Sequence, residues 1–189
     1  MTIDVRVATG REWDDVVNVL GDRGGYANCW CMFWRLTNGM METSTPASRQ
    51  QALQQRLDTD PPPGLLAYRD GVPIAWCQVA PRSQFLRLFR TRALTLAEPD
   101  DPAVWAVMCI YVVAAARGQG VGLELIEAAF DHAQRHGAGT VEGYPLIERP
   151  RSSHRSTGSL RMFLQAGFQL VEGGSGSWCV VRRDVPFRP

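Results

Sequence analysis

The fold of this chain is decided by residues 110–122, which read I-Y-V-V-A-A-A-R-G-Q-G-V-G. The segment continues an apolar run, rich in β-branched residues, that begins at Val104 and predicts a strand buried on both faces. Three glycines at alternate positions follow it, and from Val121 to Ala133 apolar residues recur every three or four positions, as in an amphipathic helix. The sequence therefore predicts a strand, a glycine-rich turn and a helix N-terminus.

Such a turn is a predicted phosphate site. The first N–H groups of a helix have no partner within it, and the helix dipole adds positive potential there. Gly118, Gly120 and Gly122 lack a Cβ, so the backbone can approach a pyrophosphate closely, and the Arg117 guanidinium adds several hydrogen-bond donors.

Two common phosphate-binding loops do not match this sequence. A Walker loop requires lysine, which the chain lacks, and a dinucleotide loop requires G-x-G-x-x-G, whose last position here is Leu123.

The sequence R-G-Q-G-V-G at residues 117–122 resembles the Q/R-x-x-G-x-G/A motif of the GNAT superfamily of N-acetyltransferases, and the similarity extends from Leu65 to Val181. The resemblance implies an α/β fold with a mixed, mostly antiparallel sheet flanked by helices, whose splayed central strands form a cleft for acetyl-CoA. It implies acetyl-CoA as co-substrate, no metal, and a backbone N–H near a strand bulge that holds the thioester carbonyl. The residues it assigns to acetyl-CoA are Tyr111, Val112 and Val113 near the bulge, Arg117, Gly118, Gln119, Gly120, Val121 and Gly122 in the turn, and Ser156 and Phe163 further along.

The composition is that of one soluble domain. The 189 residues can bury one sizeable core, and we predict a single domain in which residues 1–63 form the acceptor side and residues 64–189 the acyl-CoA-binding core. The formal charge of +1 gives no field that would attract nucleic acid or an anionic membrane. The N-terminus has no apolar leader, and the five cysteines are odd in number and irregularly spaced, which favours reduced thiols in the cytoplasm. The isolated C-x-C at Cys29 and Cys31 lacks a second pair of ligands and does not favour zinc.

Local patterns predict the remaining elements. Residues 3–7 alternate between apolar and polar, as in a half-exposed strand, and Thr9 with Glu12 forms a capping box for a helix that ends near Leu20. The helix after the glycine turn is predicted to end near His136. Further predicted elements are a helix over residues 46–57, a hairpin of strands 64–68 and 74–79 around Asp70-Gly71, a short helix over 85–89, a strand over 140–144, a helix over 160–165, and a terminal hairpin of strands 168–171 and 178–182.

An aromatic segment, residues 26–35, has two interpretations. Its aromatic side chains can fill the core beside the first helix, since they supply large buried areas. Alternatively, the segment forms one wall of an acceptor pocket, with Trp30, Trp34 and Arg35 as the substrate-binding candidates.

Four arginines after the hairpin also have two interpretations. They form either a solvated basic loop or a contact for the CoA ribose phosphate or an acidic acceptor. These residues are Arg82, Arg87, Arg90 and Arg92.

The catalytic side chains are less clear than the phosphate turn. Phe163 stands where the GNAT pattern often has a tyrosine acid, and Ala106 stands where some members have a glutamate base. By position, the candidate acids and bases are Glu142, Tyr144 and His154, although each also has a purely structural interpretation. Cys109 on the central strand is interpreted as a small buried residue rather than as a nucleophile.

Two functions from different classes follow. The first is an acetyl-CoA-dependent N-acyltransferase that moves an acetyl group to a primary amine of a small molecule or peptide by direct attack in a ternary complex. The second is a catalytically degenerate acyl-CoA-binding sensor or interaction module. The aromatic segment and the arginines favour an aromatic or carboxylate-bearing amine as acceptor, and the chain is predicted to be a monomer or homodimer.

Overall fold

The computed structural model describes residues 2–94, 101–147 and 156–186 of the chain. The strands within these residues are β1 (Ile3–Ala8), β2 (Gly64–Arg69), β3 (Val72–Pro81), β4 (Val104–Val112), β5 (Thr140–Gly143), β6 (Gln169–Val171) and β7 (Val180–Asp184). The helices are α1 (Trp13–Leu20), α2 (Asn38–Thr43), α3 (Pro46–Leu57), α4 (Val121–Arg135) and α5 (Leu160–Gln165). In the part of the chain described, no helix combines the length and apolarity needed to cross a membrane.

The strands form one sheet in the order β1-β2-β3-β4-β5-β7-β6. The pair β4 and β5 is parallel, and the other neighbours are antiparallel, which confirms the predicted mixed, mostly antiparallel sheet. Pairing between β4 and β5 runs only from Val104 opposite Thr140 to Val107 opposite Gly143. Because β5 ends at Gly143 while β4 continues to Val112, the two strands part at the carboxyl end of β4.

The sheet is buried on both faces. Side chains alternate along each strand, so neighbouring residues such as Val107 and Met108 enter different cores. One face, here called the α4 face, packs against α4 and α5 with a core that includes Val79, Val107, Leu125, Ile126 and Phe163. The other, here called the aromatic face, packs against α1, α3 and the aromatic segment, with a core that includes Trp30, Trp34, Leu53, Trp76 and Met108.

A bulge interrupts β4 just before its free end. Gln78 of β3 pairs with Met108, and Trp76, two residues earlier, pairs with Tyr111, so β4 has one additional residue. Cys109 lies in the bulge with a left-handed φ of 54°. The bulge therefore lies two residues before the 111–113 region that sequence reasoning assigned to it.

The other predicted elements are confirmed with one exception. Residues 85–89 do not form a helix, and the chain instead makes two short 3₁₀ turns, Arg82–Gln84 and Leu88–Arg90. Phe85 and Leu88 point into the aromatic core, and this tertiary packing replaces helical hydrogen bonding. The predicted capping box is present, since Thr9 donates its N–H to Glu12 at 2.8 Å, although a 3₁₀ turn precedes α1.

Phe163 should be a principal stabilising residue of the α4 face. Its side chain is fully buried, its ring lies 5.1 Å from that of Phe168, and a Cβ on Gly143 would come within 2.4 Å of it. We expect Phe163→Ala to lower the free energy of unfolding by about 3–5 kcal/mol. Leu164→Ala, at the neighbouring position with 47% exposure, should change it by less than about 0.5 kcal/mol. Urea unfolding measures both, and equal losses in the two variants would contradict the packing described.

Candidate active site

The glycine turn connects the free end of β4 to the N-terminus of α4. Gly118 and Gly120 adopt left-handed φ values of 75° and 83°, which favour glycine. Gly120 is the N-cap of α4 and offers no side chain to its first N–H groups. A Cβ at either position would meet no heavy atom of the described residues within 4 Å. The turn thus presents backbone donors and the positive end of a helix dipole to open space.

Gly122 has a different role from the one predicted. A Cβ there would lie 2.2 Å from Met162 Cε in α5. The third glycine of the motif therefore lets α5 pack closely on α4, and its missing side chain does not open space for a ligand. The sequence motif alone could not separate these uses, because Met162 is remote along the chain.

Two polar side chains of the turn are held in place. Arg117 Nε donates to the Val112 carbonyl at 2.9 Å, and Gln119 Nε2 donates to the Ala115 carbonyl at 2.9 Å. Gln119 Oε1 accepts a hydrogen bond from Arg69 Nη1 at 2.7 Å. Arg69, the last residue of β2, thus brings a second guanidinium to the turn. Sequence reasoning missed it, because only the strand order brings residue 69 beside residue 119.

Val112 presents its backbone N–H where the strands part. Val113 donates its N–H to the carbonyl of Ile74 at 3.0 Å. Successive residues of an antiparallel strand direct their N–H and C=O groups to opposite sides, so those of Val112 are directed away from β3. The Val112 carbonyl accordingly accepts the bond from Arg117. Since β5 has ended at Gly143, the Val112 N–H faces the gap between the strands.

Of the three residues predicted to hold a thioester carbonyl, Val112 has the suitable orientation. By the same alternation, Tyr111 and Val113 direct their N–H groups toward β3, and that of Val113 already has a partner. The open N–H is thus a single backbone donor on a strand that is fixed by its neighbour.

Glu142, one of the three candidate acids and bases, is buried, and its contacts favour the structural interpretation. Its exposed fraction is 1%. Arg82 Nη1 donates to Oε2 at 2.9 Å, Arg182 donates to Oε1 through Nε at 3.2 Å and Nη2 at 2.7 Å, and the Tyr144 hydroxyl also donates to Oε2. A carboxylate has about four lone-pair directions, and these four bonds occupy them. The arrangement is that of a structural anchor, with no oxygen left to accept a proton from an amine.

The partners of Glu142 are correspondingly unsuited to the roles considered for them. Tyr144 is fully buried. Burial is the main cause that raises its pKa well above the usual value, and the adjacent carboxylate of Glu142 is the second cause. Its hydroxyl proton is therefore held rather than available for donation. Arg82 is fully buried, so it is neither part of a solvated loop nor exposed to a CoA phosphate.

The aromatic segment packs in the core, as one of its two interpretations predicted. Trp30 stacks on Trp13 with ring centres 5.9 Å apart. Arg35 has an exposed fraction of 2%, donates to Gln78 Oε1 at 3.1 Å and Gln84 Oε1 at 2.7 Å, and has no carboxylate partner among the described residues. Burial lowers its pKa to about 10. A buried cation with only neutral partners is costly, which keeps the alternative acceptor-site interpretation open for this region.

Two of the cavities in the described part of the protein bear on the position of the site. One, here called the Trp34 cavity, has a volume of about 230 Å³ and is lined by Phe33, Trp34, Thr37, Asn38, Arg87, Arg90, Thr91 and Trp178. The other is larger, about 510 Å³, and is lined by residues that include Val7, Thr9, Leu57 and Pro62. The larger cavity lies beside the carboxyl end of β1, where Ala8 pairs with the first residue of β2. The glycine turn lies at the other end of the strands. The larger cavity is therefore remote from the Val112 N–H.

The remaining predicted residues divide as follows. His154 lies outside the described residues. Ser156 is half-buried in a short turn before α5. Phe163, assigned to the cofactor by resemblance, instead fills the core, and Cys109 is buried as predicted.

These features place an open backbone N–H at the free end of β4, beside a glycine turn that leads into the N-terminus of α4. Residues 30–144 match the model of the acetyltransferase (GNAT) family, which is more than half of the chain, so the protein belongs to the GNAT family of acetyltransferases. No curated protein matches the chain significantly.

Solved structures share the fold. The ribosomal-protein-alanine N-acetyltransferase of Brucella melitensis has a TM-score of 0.57 and 16% identity over 96% of this chain and 99% of its own. The paia N-acetyltransferase of Thermoplasma acidophilum, in complex with coenzyme A, has a TM-score of 0.58 and 12% identity over 98% of this chain and 100% of its own. The yncA protein of Salmonella typhimurium, with its cofactor acetyl-CoA, has a TM-score of 0.57 and 13% identity over 100% of this chain and 96% of its own.

Glu142 should contribute to stability rather than to proton transfer. Glu142→Gln keeps the side-chain size but removes the negative charge that Arg82 and Arg182 both contact, and we expect a loss of about 3–5 kcal/mol in the free energy of unfolding. Glu172→Gln, the same change at an exposed residue after β6, should cost less than about 0.5 kcal/mol. Denaturant unfolding gives both values. A stable Glu142→Gln protein whose acetyl transfer is lost, with a changed pH profile, would instead make Glu142 a catalytic residue.

Proposed function

We propose that the protein is an acetyl-CoA-dependent N-acyltransferase that transfers an acetyl group to a primary amine by direct attack in a ternary complex. One observation carries the proposal: the Val112 N–H faces the gap between β4 and β5 beside the open end of α4. The gap leads from the anion-binding turn to the aromatic face. A thioester held by its phosphates at the turn would therefore meet a donor for its carbonyl oxygen.

The residues of the turn have the chemistry that acetyl-CoA requires. Gly118 and Gly120 would let the pyrophosphate approach the first N–H groups of α4, and Arg117 and Arg69 would supply guanidinium groups beside it. Two solved GNAT-like folds contain coenzyme A or acetyl-CoA, and this supports the same co-substrate here.

The reaction needs little help from acidic or basic side chains. The neutral amine attacks the thioester carbonyl, a C–N bond forms, the C–S bond breaks, and the amine proton is lost while the thiolate of CoA leaves. The Val112 N–H would stabilise the oxyanion, an effect worth about 2.7–4 kcal/mol for a single donor. Positioning of the two substrates would supply a further part of the acceleration.

The proton acceptor is water or His154 in this proposal. Glu142 and Tyr144 are committed to each other and to two arginines, and Phe163 has no proton to give. An unperturbed histidine changes charge near neutral pH, which suits a base in the segment of the sequence that follows β5.

The same observations support the second candidate function, an acyl-CoA-binding sensor or interaction module. With Phe163 buried and Glu142 saturated, the described residues offer no dedicated acid or base. Release of CoA thiol from acetyl-CoA in the presence of a panel of amines separates the two functions. Binding without thiol release would favour the module.

We further propose a small-molecule or peptide amine as acceptor, with residues 1–63 forming its side of the site. The near-neutral charge supports a protein that binds neither nucleic acid nor membrane, and the reduced cysteines support a cytoplasmic location. Either a monomer or a homodimer agrees with these properties.

Gly120→Ala should abolish binding of acetyl-CoA, because its Cβ would enter the space proposed for the pyrophosphate. Gly137→Ala is a matched control at the other end of α4: its φ of 84° equals the 83° of Gly120 to within a degree, and its Cβ would also meet no described atom within 4 Å. Both substitutions should cost about 1–2 kcal/mol of backbone strain. Acetyl-CoA at about a hundred times its Kd should add about 2.7 kcal/mol to the stability of the wild type and of Gly137→Ala only.

Thermal unfolding with and without acetyl-CoA measures these shifts, with NAD and ATP as comparison ligands. No stabilisation of the wild type by acetyl-CoA would overturn the proposed function.

A further inference from the structure

We propose that the Trp34 cavity binds the carboxylate-bearing end of the acceptor, so that the acceptor is a small amine with an anionic group and an apolar, preferably aromatic, body. This assignment rests on the proposed acetyl transfer, because it places the second substrate of that reaction. The observations that carry it are the position of the cavity, its aromatic walls and its charge.

The cavity lies at the end of the sheet where β4 and β5 separate. Val107 pairs with Gly143, and β4 and β5 run in the same direction. Leu146, three residues after Gly143, therefore lies at the end of the sheet where β4 also ends. Leu146 forms a bridge with Trp178, whose ring meets that of Trp34 edge-on at 5.5 Å. The cavity therefore lies at the same end of the sheet as the gap between β4 and β5.

The cavity also lies on the aromatic face of the sheet, opposite the face that carries α4. Trp34 and Trp178 pack with the aromatic-face core, whereas the glycine turn leads into α4 on the opposite face. The two substrates would thus approach from opposite faces of the sheet and meet where the strands part. This arrangement avoids competition between acetyl-CoA and the acceptor for one entrance.

The walls of the cavity select an apolar body. Phe33 and Trp178 both meet the Trp34 ring edge-on, with centres 5.3 and 5.5 Å apart, and the three rings form a rigid aromatic surface. The volume of about 230 Å³ is below the range of about 300–1,000 Å³ typical of sites for drug-sized ligands. An amino-acid-sized molecule matches it better than a folded protein surface does.

The charge of the cavity selects an anionic group. Two arginines line it, and none of the eight described residues that line it is acidic. Arg87 is fixed, since its Nε donates to the Phe33 carbonyl at 2.6 Å, its Nη1 donates to Asn38, and its guanidinium lies 4.1 Å from the centre of the Phe33 ring. Arg90 is exposed at the cavity and makes no ion pair within the described residues. A carboxylate can accept two bonds from one guanidinium.

The same two charges act against other acceptors. Polyamines and lysine-rich peptides would place positive charge beside Arg87 and Arg90, and like-charge contact disfavours them. A carboxylate-bearing amine reverses this interaction at its anionic group and still carries a nitrogen that can be acetylated.

The first test compares L-phenylalanine with 2-phenylethylamine as acetyl acceptors, since the two differ by the carboxylate. We expect kcat/KM to be about ten- to a hundredfold higher for phenylalanine, which is the range for a hydrogen-bonded charge pair. Arg90→Met should remove this preference, and Arg90→Lys should keep only part of it. Arg135→Met removes the same charge at the far end of α4 and should leave the preference intact. Equal use of both amines, preference for polyamines, or equal effects of Arg90→Met and Arg135→Met would overturn the proposal.

A second test does not depend on turnover. Indole N–H signals of ¹⁵N-labelled protein are followed during titration with 3-phenylpropanoate or its uncharged match, 3-phenylpropan-1-ol, and the Trp34 signal is identified with Trp34→Phe. We expect the Trp34 signal to move with the carboxylate only, and to stop moving in Arg90→Met but not in Arg135→Met. No movement, or equal movement with the alcohol, would overturn the anion site. Carboxylate binding without stabilisation by acetyl-CoA would overturn the proposed transfer instead, so the two failures are distinguishable.

Discussion

The structure depends on the separation of two parallel strands within a sheet that is otherwise antiparallel. Parallel neighbours require a crossover, and here α4 supplies it, which brings the N-terminus of α4 to the edge where β4 ends. Because β5 stops at Gly143, the backbone of β4 beyond Val107 has no partner from β5. The gap, the Val112 N–H and the glycine turn therefore all follow from one feature of the topology. The bulge at Cys109 lies between the paired and the free part of β4.

The short strand β5 needs support that four residues of pairing do not supply. Glu142 provides it, because its bonds tie β5 to Arg82 after β3 and to Arg182 in β7. A buried charge is stable only when its partners satisfy it, and here both carboxylate oxygens have two donors each. This explains why the most conspicuous carboxylate near the site is unsuited to proton transfer. The protein keeps a polar group close to its gap for structure and leaves the proposed chemistry to the backbone.

Each face of the sheet carries the binding site proposed for one of the two substrates. The α4 face carries the glycine turn that we propose binds the phosphates, where a Cβ on Gly118 or Gly120 would meet no described atom within 4 Å. The aromatic face carries a cavity with fixed rings and with Arg90, whose guanidinium makes no ion pair with any described residue. Arg35 adds a buried cation to that face, and its hydrogen-bond partners among the described residues are two glutamines. Positive charge and aromatic rings therefore lie together on this face of the sheet.

The sequence by itself determined the elements and the general class of the protein. Strand alternation, the Thr9 capping box, the Asp70-Gly71 turn and the glycine motif act over a few residues, so their signals are complete within short windows. The family resemblance followed from the same local motif at residues 117–122, and the family match bears it out.

Only the tertiary structure decided which side chains are available. Glu142 looked like a candidate base until two arginines, 60 positions before it and 40 after it, saturated its oxygens. Gly122 was predicted to contact a ligand, but α5 packs against it. Strand order places Arg69 beside the glycine turn. Arg90 owes its position to the 3₁₀ turns that replace a predicted helix. The physical reason is the same in each case: burial and hydrogen-bond partners come from residues that are distant in the chain, so no local pattern contains them.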